Sequence, residues 1–590
     1  MTPNLTVAGI YENVLKLTLR GVGSNDFTQN MNPAVATYID EVYMGLATGQ
    51  AQQFFDLERV EVLRGPQGTL YGKNATGGAI SYFSKRPSTR DFEGGVTATY
   101  GNYDRVEAEG FVNVPLSEQA AIRFSGQFKD RDGIYKNTFL GIRQRFAESK
   151  AGRLQLLFKP NDALTANFKV FASEFDGDVP HRSMIGLLTP GTVPGTFRPL
   201  TTAELAAGIN GVNIHGTPGR ISAYKGENDL YTFDDSTNTG ASAHIAYDTG
   251  GPTITSITAY ERNKRSVRDD PDATAIRQVD NTYSNDSQYI SQELRLTGDI
   301  GRIDYVIGGH FYREKIEADL NLILFPCTLD PTPCPIVTVP GAIALGYPGG
   351  TRFGGPPPRG GLPIGFTINT QYKQINRSLA AFADVKFHLN DALTLTGGLR
   401  YTTERRKIDA TSPNPLLANP SLNHPAFPGY ASFQGSETWD DLSGRAVIDY
   451  KFGNSLVYAS YSRGFRAGNW NGLGFTLPVI SNPVDPETLT SYEVGLKSEF
   501  FNRRARLNLT GFYYDYEDMQ QSVFVGTLSL LQNASKARIK GIEIETMALV
   551  TPELTLHMSG GYTDAKYKEF LDSRLGNLAG NTPPYTPEWN

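Results

Sequence analysis

SYEVGLKSEFFNRRARLNLTGFYYDY, residues 491–516, reads as two extended segments joined by a very short connection at 502. In the first, Tyr492, Val494 and Leu496 oppose Glu493, Lys497 and Glu499; in the second, Leu507 and Leu509 oppose Arg506, Asn508 and Thr510. A period of two is that of a β-strand with one apolar and one polar face. The same alternation recurs along most of the chain. In ALTANFKVFAS (163–173), Leu164, Ala166, Phe168, Val170 and Ala172 share one face, with Thr165, Asn167, Lys169 and Ser173 on the other.

A soluble sandwich also alternates, so the connections decide the architecture. Strands are expected at about 94–102, 104–114, 119–131, 148–160, 163–175, 236–248, 253–264, 287–299, 302–314, 371–388, 391–405, 437–452, 455–466, 487–501, 504–516, 537–550 and 553–564. Every second connection is tiny, as at LSEQ (116), PND (160), TGGP (249), DIGR (299), LND (389), Gly453-Asn454, NRR (502) and TPE (551). The intervening ones are mostly long, including 176–235, 265–286, 315–370, 406–436 and 467–486. An up-and-down barrel crossing an outer membrane sorts its loops in this way, with short turns at the periplasmic rim and long loops outside. The expected fold is therefore all-β, a transmembrane antiparallel barrel. The count of about seventeen is odd, whereas single-chain bacterial barrels have even numbers, and an unpaired edge is costly in lipid. Further strands are thus expected beyond PPYTPEWN at the C-terminus.

The totals agree with a β architecture. The 590 residues carry 61 Gly, 30 Tyr and 32 Phe but two Cys and seven Met, which implies many turns and aromatic-rich strands. With 55 basic and 61 acidic residues the net charge is −6, which argues against a dedicated nucleic-acid binder. Mean hydropathy is −0.33, and no apolar run approaches the ~18 residues of a membrane helix, although a barrel needs only alternate apolar residues. The N-terminus, MTPNLTVAGIYENV, lacks the basic and apolar regions of a signal peptide.

Before residue 90 the segments are shorter, and one is dense in glycine. FFDLERVEVLRGPQGTLYGKNATGGAISYFSKRP (54–87) places Gly65, Gly68, Gly72, Gly77 and Gly78 within fourteen residues. Glycines at this density suit tight turns between short strands, not a helix interior. A phosphate loop fails on spacing: counting back from Gly72-Lys73, the first required glycine falls on Gln67, and Asn74 stands where Ser or Thr is needed. Gly21-Val22-Gly23 likewise lacks its third glycine, since position 26 is Asp.

Together, LRGVGSNDF (19–27), YIDEVYMG (38–45), ERVEVLRGPQGTLYGKNATGGAISYFSKRP (58–87), SYEVGLKSEFFNRRARLNLTGFYYDY and KGIEIE (540–545) resemble a TonB-dependent outer-membrane receptor over essentially the whole chain. The resemblance implies a plug, residues 1–90, folded inside a 22-stranded barrel that begins near 91, about seventeen of whose strands fall within this chain. It implies that a signal peptide, the TonB-contacting box and the start of the plug precede Met1. It also implies that the last strands follow Asn590. The implied activity is active import of a scarce ligand, a ferric siderophore first, with cobalamin or an oligosaccharide as alternatives. The implied partners are TonB with ExbB and ExbD, the external ligand and outer-membrane lipid, with a monomeric receptor and no cofactor. A passive porin-like pore and a sensor variant with an added periplasmic domain are the competing readings.

Period two turns Ile542, Ile544 and Ala548 toward lipid and Glu543 and Glu545 toward the lumen. By resemblance, Arg20 in LRGVG and Arg64 in VLRGP face Glu493 and Glu543 and hold the plug to the wall, with the glycines as plug core. Arg suits such a latch because its planar fork grips a carboxylate with two bonds. Asn74 and Thr76 are expected to hydrogen-bond locally in turns. In the Pro- and Gly-rich loop 315–370, Cys327 and Cys334 are expected to form a local disulfide, since the compartment is oxidising and a metal would need more ligands. Arg182, Tyr224, Tyr347, Arg352 and Phe353 are candidates for an external ligand vestibule. The seven histidines are scattered and neither GxSxG nor HExxH occurs, so an enzyme is not expected.

Overall fold

A computed structural model describes residues 3–8, 13–24, 26, 28–45, 48, 50–179, 188–190, 197–199, 224–226, 228, 230–271, 279–324, 366–412, 430–472, 474, 477–525, 528–572 and 576–590. Among these, seventeen strands, from Glu93–Gly101 to Leu554–Glu569, form one sheet arranged in chain order and rolled into a barrel. Consecutive strands are joined by antiparallel ladders, as the up-and-down reading requires. Residues 588–590 add a short antiparallel pairing to the last strand, with the Asn590 and Gly561 backbones exchanging two 3.0 Å hydrogen bonds.

Each expected strand has a counterpart, and Ser455–Arg466 keeps the expected limits. The differences lie at the long-loop rim, where strands run further than the alternation suggests. Val279–Ile300 and Ile303–Leu324 pair continuously up to Val279 opposite Leu324, against expected strands of 287–299 and 302–314. Ala505–Val525 and Leu528–Thr551 likewise outrun 504–516 and 537–550. The reason is solvation. Beyond the lipid band the outward face no longer has to be apolar, so residues such as Ser284, Asn285 and Asp286 erase the apolar–polar contrast while the backbone ladder continues.

Inside the barrel, β1 (Leu5–Ala8) pairs with β2 (Lys16–Leu19) as a hairpin. β3 (Val35–Ile39), β4 (Val42–Met44), β5 (Leu57–Arg64) and β6 (Gly78–Ser84) form a sheet in the order β4-β3-β6-β5, with β3 and β6 parallel. The core of the molecule is the seam between this plug sheet and the lumen wall. Val22 and Ala34 pack with Leu489, Phe512, Tyr514 and Ile539 of the barrel. Ala36, Tyr43 and Ala79 pack with Ile257, Tyr289 and Tyr312, where the Tyr43 and Tyr312 rings meet edge-on at 5.7 Å.

The glycine stretch builds the turn between β5 and β6 and the face it presents to the wall. Gly65 donates its N–H to the Gly77 carbonyl at 3.1 Å, and Gly68 lies against Ser443 and the Arg463 carbonyl of the barrel. Two positions demand glycine. Gly78 has φ +141°, and a Cβ there would sit 2.1 Å from the Leu63 carbonyl oxygen. Gly72 has φ +82°, and a Cβ there would meet the Arg400 guanidinium at 2.7 Å. Asn74 differs from expectation. With φ +62° it donates to the Tyr43 hydroxyl (2.7 Å), and its backbone N–H reaches the Phe465 carbonyl of the wall (3.0 Å), so it ties plug to barrel as well as holding a turn. Thr76 reaches across the plug to the Ala34 carbonyl at 3.2 Å.

Candidate functional site

Arg20 directly follows β2, in a tight turn closed by paired backbone hydrogen bonds between Leu19 and Val22, in a left-handed conformation (φ +50°), and its side chain reaches the wall. Its Nη1 donates to Glu493 Oε2 at 2.6 Å and to the Tyr514 hydroxyl at 2.7 Å. Nε and Nη2 grip the two oxygens of Glu543 at 2.9 and 2.6 Å, the bidentate geometry for which the guanidinium is shaped. The guanidinium plane also lies 4.3 Å from the Phe512 ring. Arg64, the last residue of β5, donates to Glu543 Oε2 at 2.6 Å and to Glu545. The four residues singled out in the sequence thus meet in one cluster, but Arg64 pairs with Glu543 and Glu545, and Glu493 is left to Arg20.

The cluster contains partners the sequence reading did not place in it. Asn4 donates to Glu543 Oε1 at 2.9 Å, and the Tyr458 hydroxyl donates to Glu493 Oε1 at 2.6 Å. Glu545 was legible as lumen-facing from the strand period, but only the structure brings Arg64 to it. Every charged group here has an opposite charge or a hydroxyl beside it, which is what a buried ionic group requires.

Three further ties distribute the plug around the wall. In YIDEVYM the turn between β3 and β4 places Asp40 (φ +51°) and Glu41 (φ +69°) both in the left-handed region, as a two-residue primed turn does. Asp40 accepts Lys169 Nζ at 2.8 Å and is held by the Ser84 N–H and hydroxyl at 2.7 and 2.9 Å. Glu41 pairs with Arg295 and lies 3.3 Å from His244 Nε2. Asp56 receives a bidentate Arg123 at 2.8 and 2.5 Å. Lys73 reaches Glu404 at 2.8 Å, and Arg406 bridges Glu404 to Asn32 of the plug and Asn469 of the barrel.

Burial opposes ionisation of Asp40, but Lys169 and the Ser84 hydrogen bonds outweigh it and hold the carboxyl down at about 2. Glu41 is likewise held at about 2, its burial outweighed by His244 and Arg295. Both folded values lie below the ordinary carboxylate range near 4. Their contribution to docking is therefore complete above pH ~4 and is lost as pH falls through 2. Hydrogen exchange of residues 35–44, corrected for the intrinsic pH dependence of exchange, is expected to stay slow to pH ~4 and to accelerate below it, before the barrel strands do.

The predicted vestibule residues are placed less fully. Tyr224 is exposed beside a small sheet of Tyr135–Asn137, Ile142–Gln144 and Lys225–Gly226. Arg182, Tyr347, Arg352 and Phe353 lie outside the described residues, as do Cys327 and Cys334. Among the described residues no cluster of His, Cys, Asp and Glu forms a metal site, and no helix is long and apolar enough to cross a membrane.

A family model of the TonB-dependent receptor plug domain matches residues 1–79, and one of the TonB-dependent receptor-like β-barrel matches residues 186–590. The chain belongs to the TonB-dependent receptors. The receptor is 26% identical to the pesticin receptor of Yersinia pestis over 589 residues, 97% of this chain and 72% of that protein. It is 24% identical to the catecholate siderophore receptor Fiu of Escherichia coli O6:H1, over 90% of this chain and 68% of the relative. In fold it is similar to the crystal structure of the ferric yersiniabactin uptake receptor FyuA from Yersinia pestis (TM-score 0.74, 21% identity, 100% of this chain and 78% of that one). It is also similar to the siderophore receptor PiuA from Acinetobacter baumannii (TM-score 0.69, 16% identity, 100% and 80%). The receptor is thus a plug-and-barrel protein of the outer membrane, in a family of receptors that depend on TonB.

Proposed function

We propose that the receptor imports a ferric siderophore across the outer membrane by rearranging its plug, with energy delivered through TonB from the inner-membrane partners ExbB and ExbD. The observation that carries this reading is the plug itself, which occupies the lumen and is tied to the wall by buried ion pairs. A passive pore has no use for an obstruction held in this way. Siderophore as the ligand class is supported by the relatives, which are siderophore or pesticin receptors by name. In this reading Arg20, Arg64, Glu493, Glu543 and Glu545 form the latch, the unit 1–90 is the plug and the rest is barrel. The net contribution of such buried pairs to stability is small because desolvation offsets much of the attraction, so they fix the plug's position yet remain breakable.

Two measurements test it. Uptake of iron-55 from a panel of ferric siderophores, in cells lacking their own receptors, is expected to depend both on the receptor and on TonB; uptake unaffected by loss of TonB overturns active import. In planar bilayers the intact receptor is expected to be nearly silent, whereas removal of residues 1–90 opens a wide pore. Porin-like conductance of the intact receptor overturns the gated reading.

A further inference from the structure

On the outer surface of the barrel, three arginines stand side by side on three adjacent strands. Arg313 lies directly opposite Arg377, and Arg377 directly opposite Arg405, in the ladders joining Ile303–Leu324, Phe366–His388 and Leu393–Ser412. They face outward, on the same parity as the exposed Phe311, Leu379 and Tyr401 and opposite to the buried Tyr312, Asn376 and Glu404. Opposed residues on antiparallel strands have Cα atoms about 4.5–5.5 Å apart, so the three Cα atoms fall within roughly 11 Å. Like charges directly opposite one another destabilise a sheet. An anion beside the row would offset this repulsion.

Among the described residues none of the three has a carboxylate in salt-bridge range; Arg405 donates only to the Ser436 hydroxyl at 3.2 Å. The contrast with a strand two places along the sheet is direct: Arg262, also outward, is neutralised by a bidentate contact with Asp286 at 2.9 and 2.5 Å. One pleat further out the same three strands add Lys315 and Lys407. On these three strands acid returns only beyond those, at Glu317, which holds Lys315 at 2.8 Å, and at Asp409; on the adjoining strand Asp440, opposite Thr403, is outward and is engaged by the Tyr401 hydroxyl. One pleat inward the surface turns apolar at Phe311 and Leu379. From Leu379 to Phe387, both outward and exposed, is eight residues, about 27 Å along the strand and roughly 20 Å along a barrel axis at the usual tilt. The arginines therefore lie at the head-group level of the outer leaflet, on the long-loop side.

We propose that this row binds the phosphoryl groups of an anionic glycolipid of the outer leaflet. A guanidinium fork fits a phosphate with two bonds, and three forks in a row fit a head group bearing two phosphates. The apolar residues directly below receive its acyl chains, which distinguishes a lipid from a free phosphate. Basic groups at a membrane surface attract anionic head groups.

The test uses the receptor purified in lipid-free detergent and a bis-phosphorylated glucosamine-disaccharide lipid. The comparisons are the same lipid with its phosphates removed, inorganic pyrophosphate, and the variant Arg313→Gln/Arg377→Gln/Arg405→Gln. The wild type is expected to bind the phosphorylated lipid at least about tenfold more tightly than the triple variant, with a difference that shrinks at high salt. It should show no such preference for the dephosphorylated lipid. In lipid-free micelles the variant should melt no lower than the wild type, because it has lost only repulsion. Equal affinity of both proteins, or for both lipids, overturns the proposal. Displacement of the lipid by an equal concentration of pyrophosphate assigns the row to free phosphate and overturns it also. A lower melting temperature of the lipid-free variant would make the row structural.

Discussion

Replacing Arg20 and Arg64 together by glutamine is expected to free the plug while leaving the barrel folded. Glu543 is then stranded: its side chain is only 1% exposed, and both guanidinium groups that compensate it are gone. Removing the partners of a buried carboxylate typically costs about 3–5 kcal/mol, because an uncompensated charge remains out of water. Arg20→Gln alone should have a smaller effect, since Arg64 still contacts Glu543 at 2.6 Å, although Glu493 then keeps only its bond from Tyr458. Hydrogen exchange is expected to rise strongly in residues 14–24 and 57–84 and to change little in the barrel ladders. Adding Glu543→Gln to the double variant should restore part of the protection, because an uncharged amide is far less costly to bury than a lone carboxylate. Unchanged plug protection in the double variant would remove the latch from this account.

Gly78→Ala is expected to be the most damaging small substitution in the plug. The new methyl would lie 2.1 Å from the Leu63 carbonyl oxygen and 2.9 Å from the Leu19 side chain, at a φ of +141° that alanine disfavours. The first contact is with backbone, which cannot rotate away. Strain at such a φ costs about 1–3 kcal/mol, and overpacking adds about 1–3 more. The damage falls where Arg64 pairs with Gly78 at the end of the β5–β6 ladder, so Arg64 should lose its hold on Glu543 and Glu545 as well. Gly152→Ala, in a barrel strand with nothing within 4 Å of the added carbon, is the matched control and should be close to neutral. Equal protection of residues 57–84 in both variants would refute the steric argument.

The barrel was legible because its strands carry a contrast written at a fixed period. Wherever one face meets lipid and the other the lumen, as in 455–466, even the limits are readable. Where the outward face leaves the lipid, as in 280–286 or 517–522, the ladder persists without that contrast, and only register with a neighbour reveals it. Arg20, Arg64, Glu493 and Glu543 were reachable through motif resemblance. Which guanidinium meets which carboxylate depends on where the β1–β2 hairpin and β5 end relative to the wall, and no local pattern encodes that. The Asp40 and Glu41 ties were missed for a related reason. YIDEVYM reads as a turn, but nothing in it points to Lys169, His244 or Arg295, whose ties to it span 129 to 254 positions of the chain.

The placement of the ties has a mechanical consequence. Arg20, the Asp40–Glu41 turn, Asp56 and Lys73 anchor on different strands around the ring, and they occur in that order along the chain. A pull delivered through the N-terminal end therefore loads them in series. The first anchor carries nearly all the tension until it gives way, and only then does the next one feel it. The force needed to empty the lumen is set by the strongest single anchor rather than by their sum. A modest tug applied for long enough can thus unthread a plug that resists thermal agitation as a whole.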